Sequence, residues 1–421
     1  MGSSGRLVDF REAQGPLKGV RVLDASTILA GPLSAAILGD FGAEVIKVEQ
    51  PGHGDPVRRF PPSVEGQAVS SKVTNRNKRS VAIDLHHEAA REVFLRLVAK
   101  SDVVIVNYRP ATLTKWGIDY QDLVAVRPDV VMMHLTGFGR TGPYSEKPGF
   151  ARIAEAYAGL TYITGFPDGP PMFAGYAIGD GLAGVYGALS VMLALYERRD
   201  SGKGQLIDLA LYEPTLRILE NLVVTYSVTN RVAERVGNLN KSVAPSDIYH
   251  LADGNWVAIP SSTPNMYSRL CQAVGRPDLI HDERFSDNTR RVENQPELDA
   301  ELRPAIERFR SDELLALLER VGVAAGPVNS VADLVADPHV WERGSLEQIF
   351  DPNLGRDVVM QSVFPMLSRT PGSVQFPGRE PGQDTHYVLK QVLGMAEPEI
   401  ERLIGIGAVG TNGVSSERSA S

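Results

Sequence analysis

The chain has 421 residues, 43% hydrophobic and 22% charged, with a net charge of −8. That length suits two domains rather than one core, and the acidic balance argues against a nucleic-acid binder. Cys271 is the lone cysteine, which excludes an internal disulfide and fits a reducing cytosol, so a cytoplasmic location is expected.

From the N-terminus, residues 1–14 are polar and charged and carry no signal-peptide pattern. Residues 20–24 read as a strand, 32–39 as a short helix opened by Gly31-Pro32, and 44–48 and 80–84 as further strands. Helical apolar spacing marks 88–100. Residues 103–106 form a continuous apolar strand, Pro110 opens a helix, and 130–135 is another strand. Short apolar strands alternating with helices are the pattern of a parallel sheet covered on both faces, and ligands of such sheets sit at the strands' carboxyl ends. The loops after Asp24, Val48, Asp84, Val106 and Leu135 are therefore the ones to inspect. The longest apolar stretch, 181–196, is short and broken by three glycines and a serine, so no transmembrane helix and no membrane partner are expected.

A second, smaller α+β body starts near Gly237. Residues 247–259 read as a hairpin turning at Asp253-Gly254, followed by helices over 266–274, 297–310 and 311–321. Residues 345–380 are strand- and turn-like, 397–406 resembles a terminal helix, and 410–421 reads as a disordered tail.

Asp180 is the most informative residue. Gly179 and Gly181 flank it, and an apolar helical stretch, 185–195, follows. Local sequence leaves two readings open: a helix N-cap, and a carboxylate that glycines leave accessible to a ligand. Elsewhere, Gly137-Phe138-Gly139-Arg140-Thr141-Gly142 has dinucleotide spacing but runs into Pro143-Tyr144 rather than a helix, so it reads as a tight turn. The eight histidines have no metal-ligand spacing, and no nucleophile elbow occurs. No metal site is expected. Arg58, Arg59, Lys72, Arg76, Lys78, Arg79, Arg109 and Lys115 concentrate positive charge in one segment, which reads either as a polyanion site or as solvated surface.

An ordered set of motifs resembles the class III CoA-transferase (CaiB/BaiF) family. It comprises 17–24 with Ala30-Gly31-Pro32, 41–49 with Pro51-Gly52 and Gly54-Asp55, Asn77-Lys78-Arg79-Ser80, Asn107-Tyr108-Arg109-Pro110, Gly137-Phe138-Gly139, Gly179-Asp180 and Ser201-Gly202-Lys203-Gly204-Gln205. The resemblance implies an α/β fold with a Rossmann-like large domain over 17–230, a small domain over 237–335, and a return segment, 336–409, packing on the large domain. It implies an interlocked homodimer, with coenzyme A or acyl-CoA as substrate and no tightly bound cofactor.

Asp180 falls on the family's catalytic aspartate. Its CoA-contacting positions fall on Leu29, Ala30, Gln50, Ile83, Asp84, Leu85, His86, Asn107, Tyr108, Arg109 and Lys115, and Arg79 joins them from the basic cluster. The implied reaction moves CoA from an acyl-CoA to a free carboxylic acid through aspartyl anhydrides and an aspartyl-CoA thioester, with the Gly179 and Gly181 N–H groups as oxyanion donors. The family's racemases need a histidine in a Gly-His-Asp stretch that reads Gly149-Phe150-Ala151 here, which favours transfer. Racemisation and a non-catalytic CoA-binding subunit are the competing readings. Leu29, where the formyl-CoA:oxalate branch has glutamine, and the lack of a glycine-rich loop over 247–260 argue against formyl-CoA and oxalate. A larger acid, a dicarboxylate with succinyl-CoA as donor, is the expectation in their place.

Overall fold

A computed structural model describes residues 14–261 and 263–411; the N-terminal stretch 1–13 and the tail from 412 lie outside the described residues. Along the chain come β1 (Arg21–Asp24), α1 (Ala30–Asp40), β2 (Glu44–Glu49), β3 (Lys78–Ile83), α2 (Glu88–Val98), β4 (Val103–Val106), α3 (Pro110–Trp116), α4 (Tyr120–Val126) and β5 (Val131–Thr136). Then follow α5 (Ala151–Tyr157), α6 (Ile178–Ser201), β6 (Leu206–Ala210), α7 (Tyr212–Ile218) and α8 (Leu222–Thr229). A second compact unit, residues 161–172 and 230–338, holds β7 (Ser246–His250), β8 (Trp256–Pro260), α9 (Pro264–Ala273), α10 (Gln295–Glu307), α11 (Ser311–Arg320) and β9 (Gly326–Pro327). From His339 the chain rejoins the first unit with β10 (Leu346–Asp351), β11 (Arg356–Gln361), α12 (Glu397–Gly405) and β12 (Val409–Gly410).

The first unit is built on a seven-stranded sheet, β12-β3-β2-β1-β4-β5-β6, parallel except for β12. Strands 1 to 6 thus take the 3-2-1-4-5-6 order of a doubly wound sheet, as the Rossmann-like expectation requires. Alternation along the strands divides the core. Leu23, Ile46, Val104 and Met132 meet Val93, Phe94 and Leu97 of α2 on one face. Val22, Val45, Val103, Val131 and Met133 meet α1 and α6 on the other. In the second unit the antiparallel sheet β9-β8-β7 buries Tyr249, Val257 and Ile259 against Leu270, Leu302 and Leu318 of its helices.

Three readings need correction. The helix after Asp180 is longer than 185–195: α6 has 24 residues and is long and apolar enough to cross a bilayer. Its glycine edge is taken up inside the unit, however. A Cβ on Gly184 would fall 2.7 Å from Leu33, and one on Gly187 would fall 2.3 Å from Ser34 Oγ, so the glycines let α1 pack closely. The tail does not begin at Gly410, because β12 pairs Val409 and Gly410 with Ile83 and Ala82.

The third correction concerns the basic segment, most of which faces inward. Lys78 pairs with Asp24 (2.9 Å), Arg58 with Glu49 (2.7 Å), Lys72 with Asp351 (2.9 Å), Arg76 with Asp40 (2.6 Å) and Arg79 with Asp384 (3.3 Å), nearly all of these side chains being buried. Arg59, Arg109 and Lys115 are the exposed members. Buried cations persist only with partners, and partners such as Asp351 and Asp384 are hundreds of residues away, out of reach of any local pattern.

Candidate active site

In a 3-2-1-4-5-6 sheet the loops after β1 and β4 diverge to opposite faces and leave a crevice at the strands' carboxyl ends. A cavity of about 420 Å³ occupies that place. It is lined by residues 27–30 after β1, by Asn107, Tyr108, Arg109 and Thr112 after β4, by residues 135–137 at the end of β5, and by Lys147, Phe150 and Asp180 among others.

The crevice is braced from below. Asn107 receives the Thr27 N–H on its side-chain oxygen (2.9 Å) and donates to the Thr27 carbonyl (2.9 Å), tying the two loops together. Ile28 has φ 72°, a strained value for a β-branched residue, and its N–H is held by Asp55 Oδ1 at 2.9 Å. Asp55 is in turn paired with Lys47 (3.0 Å), which also reaches the Ser26 carbonyl. Burial alone would raise Asp24, but Lys47 and Lys78 beside it outweigh burial and hold its carboxyl at about 2. Gly137 and Gly149 touch backbone to backbone: a Cβ on either would fall within 2.6 Å of the other's Cα. That contact, with Gly139 (φ 85°) and Gly142 (φ 83°) in the left-handed region, accounts for the glycine spacing as turn and close approach.

Asp180 is the third residue of α6, whose N-cap is Ala177, so Asp180 is not the cap. Among the described residues, none hydrogen-bonds its carboxylate. Burial, with the negative charge of Glu155 adding to it, pushes its carboxyl up to about 6. The two glycine N–H groups expected as oxyanion donors are both engaged: Gly181 donates to the Ala177 carbonyl (3.1 Å) and Gly179 to Glu155 Oε1 (3.0 Å).

Residues 17–385 match the profile of CoA-transferase family III. The chain belongs to this family. The transferase is 41% identical over 389 residues to the succinyl-CoA–D-citramalate CoA-transferase of Chloroflexus aurantiacus, an alignment covering 92% of this chain and 96% of that one. It is 40% identical over 391 residues to the beta subunit of the succinyl-CoA–L-malate CoA-transferase of the same organism, with 92% and 96% covered. A CaiB/BaiF family protein from Brucella suis has the same fold, with a TM-score of 0.81 and 35% identity over 90% of this chain and all of that one.

In the transferase, six residues named from sequence line one cavity: Leu29, Ala30, Asn107, Tyr108, Arg109 and Asp180. A second group lies beside it. Trp116 packs edge-on against both Tyr108 (4.8 Å) and His86 (4.9 Å), and His86 contacts Asp84 at 3.0 Å. Burial would raise Asp84, but hydrogen bonds from Gln50 and His86 draw its carboxyl below the usual range. Lys115 is exposed on α3, while Leu85 is buried.

Arg79 and Ile83 join neither group. Ile83 is a core strand residue, and the Arg79 guanidinium is enclosed between Asp384 and the Tyr387 ring (4.0 Å), so no ligand in solvent reaches either side chain. Sequence reasoning missed Ile28, Lys147 and Glu155. Only Glu155 left a local trace, as a lone acid on the otherwise apolar side of a short alanine-rich helix.

Proposed function

We propose that this enzyme transfers CoA from succinyl-CoA to a small dicarboxylic acid of the malate and citramalate kind, through covalent intermediates on Asp180. One observation carries the role of Asp180: an unbonded carboxylate with a raised pKa opens into the cavity at the sheet's ligand crevice. The names of the two Chloroflexus relatives support the donor and the class of acceptor.

In the proposed sequence, an ionised Asp180 oxygen attacks the thioester carbon of the donor, the C–S bond breaks, and CoA leaves as thiolate. The thiolate attacks the aspartyl carbonyl of the mixed anhydride, releasing the donor carboxylate and leaving an aspartyl-CoA thioester. The acceptor carboxylate displaces the thiolate to form a second anhydride. The thiolate then attacks the acceptor's carbonyl, giving the new thioester and free Asp180. Protons balance without an acid or base. Arg109 and Lys147 line the same cavity and suit the negative charge of CoA and the free acid. Phe150, 60% exposed on the cavity wall, provides no proton-transfer group, which speaks against racemisation.

A homodimer is part of the proposal. Val185, Leu189, Leu193 and Tyr196 form an exposed apolar stripe on α6, and α8 buries none of its residues within the chain. A second copy covering these faces would show as a dimer in analytical ultracentrifugation, and Leu193→Glu would shift it towards monomer. The single buried cysteine, Cys271, agrees with a cytoplasmic location.

The deciding experiment incubates the enzyme with succinyl-CoA and no acceptor. Mass spectrometry should find a CoA adduct on the peptide holding Asp180, and Asp180→Ala should lack it. Transfer surviving in Asp180→Ala would refute the mechanism.

A further inference from the structure

The N-terminal turn of an α-helix carries N–H groups without intrahelical partners, and a first-turn aspartate ordinarily serves them. In α6 another element serves one of them, the Gly179 N–H. Glu155 projects from α5 and is 1% exposed. Its Oε1 accepts the Gly179 N–H at 3.0 Å. Its Oε2 lies 3.3 Å from Arg152 Nη1, which also donates to the Ala174 carbonyl at 2.7 Å. Gly179 makes this approach possible, because a Cβ there would fall 3.2 Å from both Glu155 Cγ and the Ala151 carbonyl oxygen. The acid is thus held on two sides, against a helix end, one residue from Asp180.

We propose that Glu155 is a positioning residue of the transferase: it caps α6 from outside the helix, leaves both Asp180 oxygens to substrate, and opposes the nucleophile's charge so that it stays reactive. This rests on the covalent reading of Asp180 given above. A carboxylate in the first turn of a long helix would normally be favoured in its ionised form. Asp180 is shifted the opposite way, by burial first and then by Glu155. A carboxylate less content with its charge is a better nucleophile towards a thioester carbon.

The other charged or titratable groups near the pair, or on the elements packed beside it, are Arg152 on α5, Tyr176 before α6, Tyr212 (against Tyr157 of α5) and Glu213 on α7, and Arg109 and Lys147 on the cavity wall. From α1, Leu33 and Ser34 pack against Gly184 and Gly187 of α6, and neither is titratable in this range. The neighbours of Gly179 from α5 are Glu155 and the Ala151 backbone, so the capping contact falls to Glu155.

The test follows single-turnover formation of the Asp180–CoA adduct from pH 5 to 9 in wild type, Asp180→Ala and Glu155→Gln. Glutamine keeps an oxygen for the Gly179 N–H and removes the charge. The acid limb of the rate profile should move down by about one unit, the size of a lost neighbouring charge, and the plateau rate should fall several-fold. Gly179→Ala is the second variant. Its Cβ, 3.2 Å from Glu155 Cγ, crowds the acid without changing any charge, and a smaller shift in the same direction is expected. A folded Glu155→Gln protein with the wild-type acid limb, or a Gly179→Ala protein whose limb moves upward, overturns the inference while leaving the covalent mechanism standing. A wild-type enzyme without an Asp180-dependent adduct overturns both.

Discussion

The side-chain amide of Asn107 bonds twice to the backbone of Thr27, once as acceptor and once as donor, each at 2.9 Å. Eighty residues separate the two, yet the pair fixes the width of the crevice between the loops after β1 and β4. Asn107→Ala should therefore loosen both walls, raising KM for acyl-CoA about tenfold and costing about 1–3 kcal/mol of stability. Asn107→Asp keeps only the acceptor half and should fall between. Steady-state kinetics beside thermal melts would show whether KM and Tm move together.

Arg79 and Arg109 should respond in opposite ways. Arg79→Met strips a buried guanidinium from Asp384, although Arg379 (2.8 Å) still holds that acid. A loss of about 2 kcal/mol with unchanged KM for acyl-CoA is expected. Arg109→Met, at an exposed cavity residue, should raise KM and leave the melting temperature nearly unchanged. A raised KM in a folded Arg79 variant would return it to the binding site.

Asp24 governs acid stability. Its folded carboxyl is held at about 2, below its ordinary 3.8. The stabilisation is thus present above pH 4 and lost as pH falls towards 2. Asp24→Asn leaves Lys47 and Lys78 buried without their shared acid, and should cost about 3–5 kcal/mol at pH 7. Urea unfolding across pH 2–7 should show a flatter dependence below pH 4 in the variant.

The sign reverses at Asp180. Its pKa is raised from 3.8 to about 6, so the fold prefers the protonated form. Stability from that preference is full below pH 4 and lost as pH rises through 6; at pH 7 the wild type bears the whole cost. Asp180→Asn should abolish transfer yet stabilise the protein by about 1–2 kcal/mol at pH 7, after allowing for partial exposure. The gain should vanish below pH 4, which differential scanning calorimetry at the two pH values would reveal.

Much of the fold was legible because strand and helix periods are local. The apolar runs at 44–48 and 103–106 are strands, and Pro110 opens α3 as expected. β6 was not seen, since Leu206–Ala210 carries Asp208 mid-strand and earns its place by pairing with β5. Asp180 stood out through its glycines. What they do was not legible: Gly179 makes room for a glutamate from another helix, and no local pattern shows that this glutamate takes the Gly179 N–H. The basic segment misled for a related reason. Charge is visible in sequence, but whether Arg79 meets solvent or Asp384 is decided some 300 residues later.

That distance has a consequence for biosynthesis. Ser80 and Ala82 of β3 hold their N–H groups on Asp384 and Thr385, and β12 closes the sheet edge beside them. Until those residues leave the ribosome, the nascent sheet has an open edge and an unneutralised arginine inside it. The first half of the chain must therefore wait, exposed to chaperones or to mispairing, while the whole smaller unit is translated. A fragment ending near residue 230 would carry the same defect permanently.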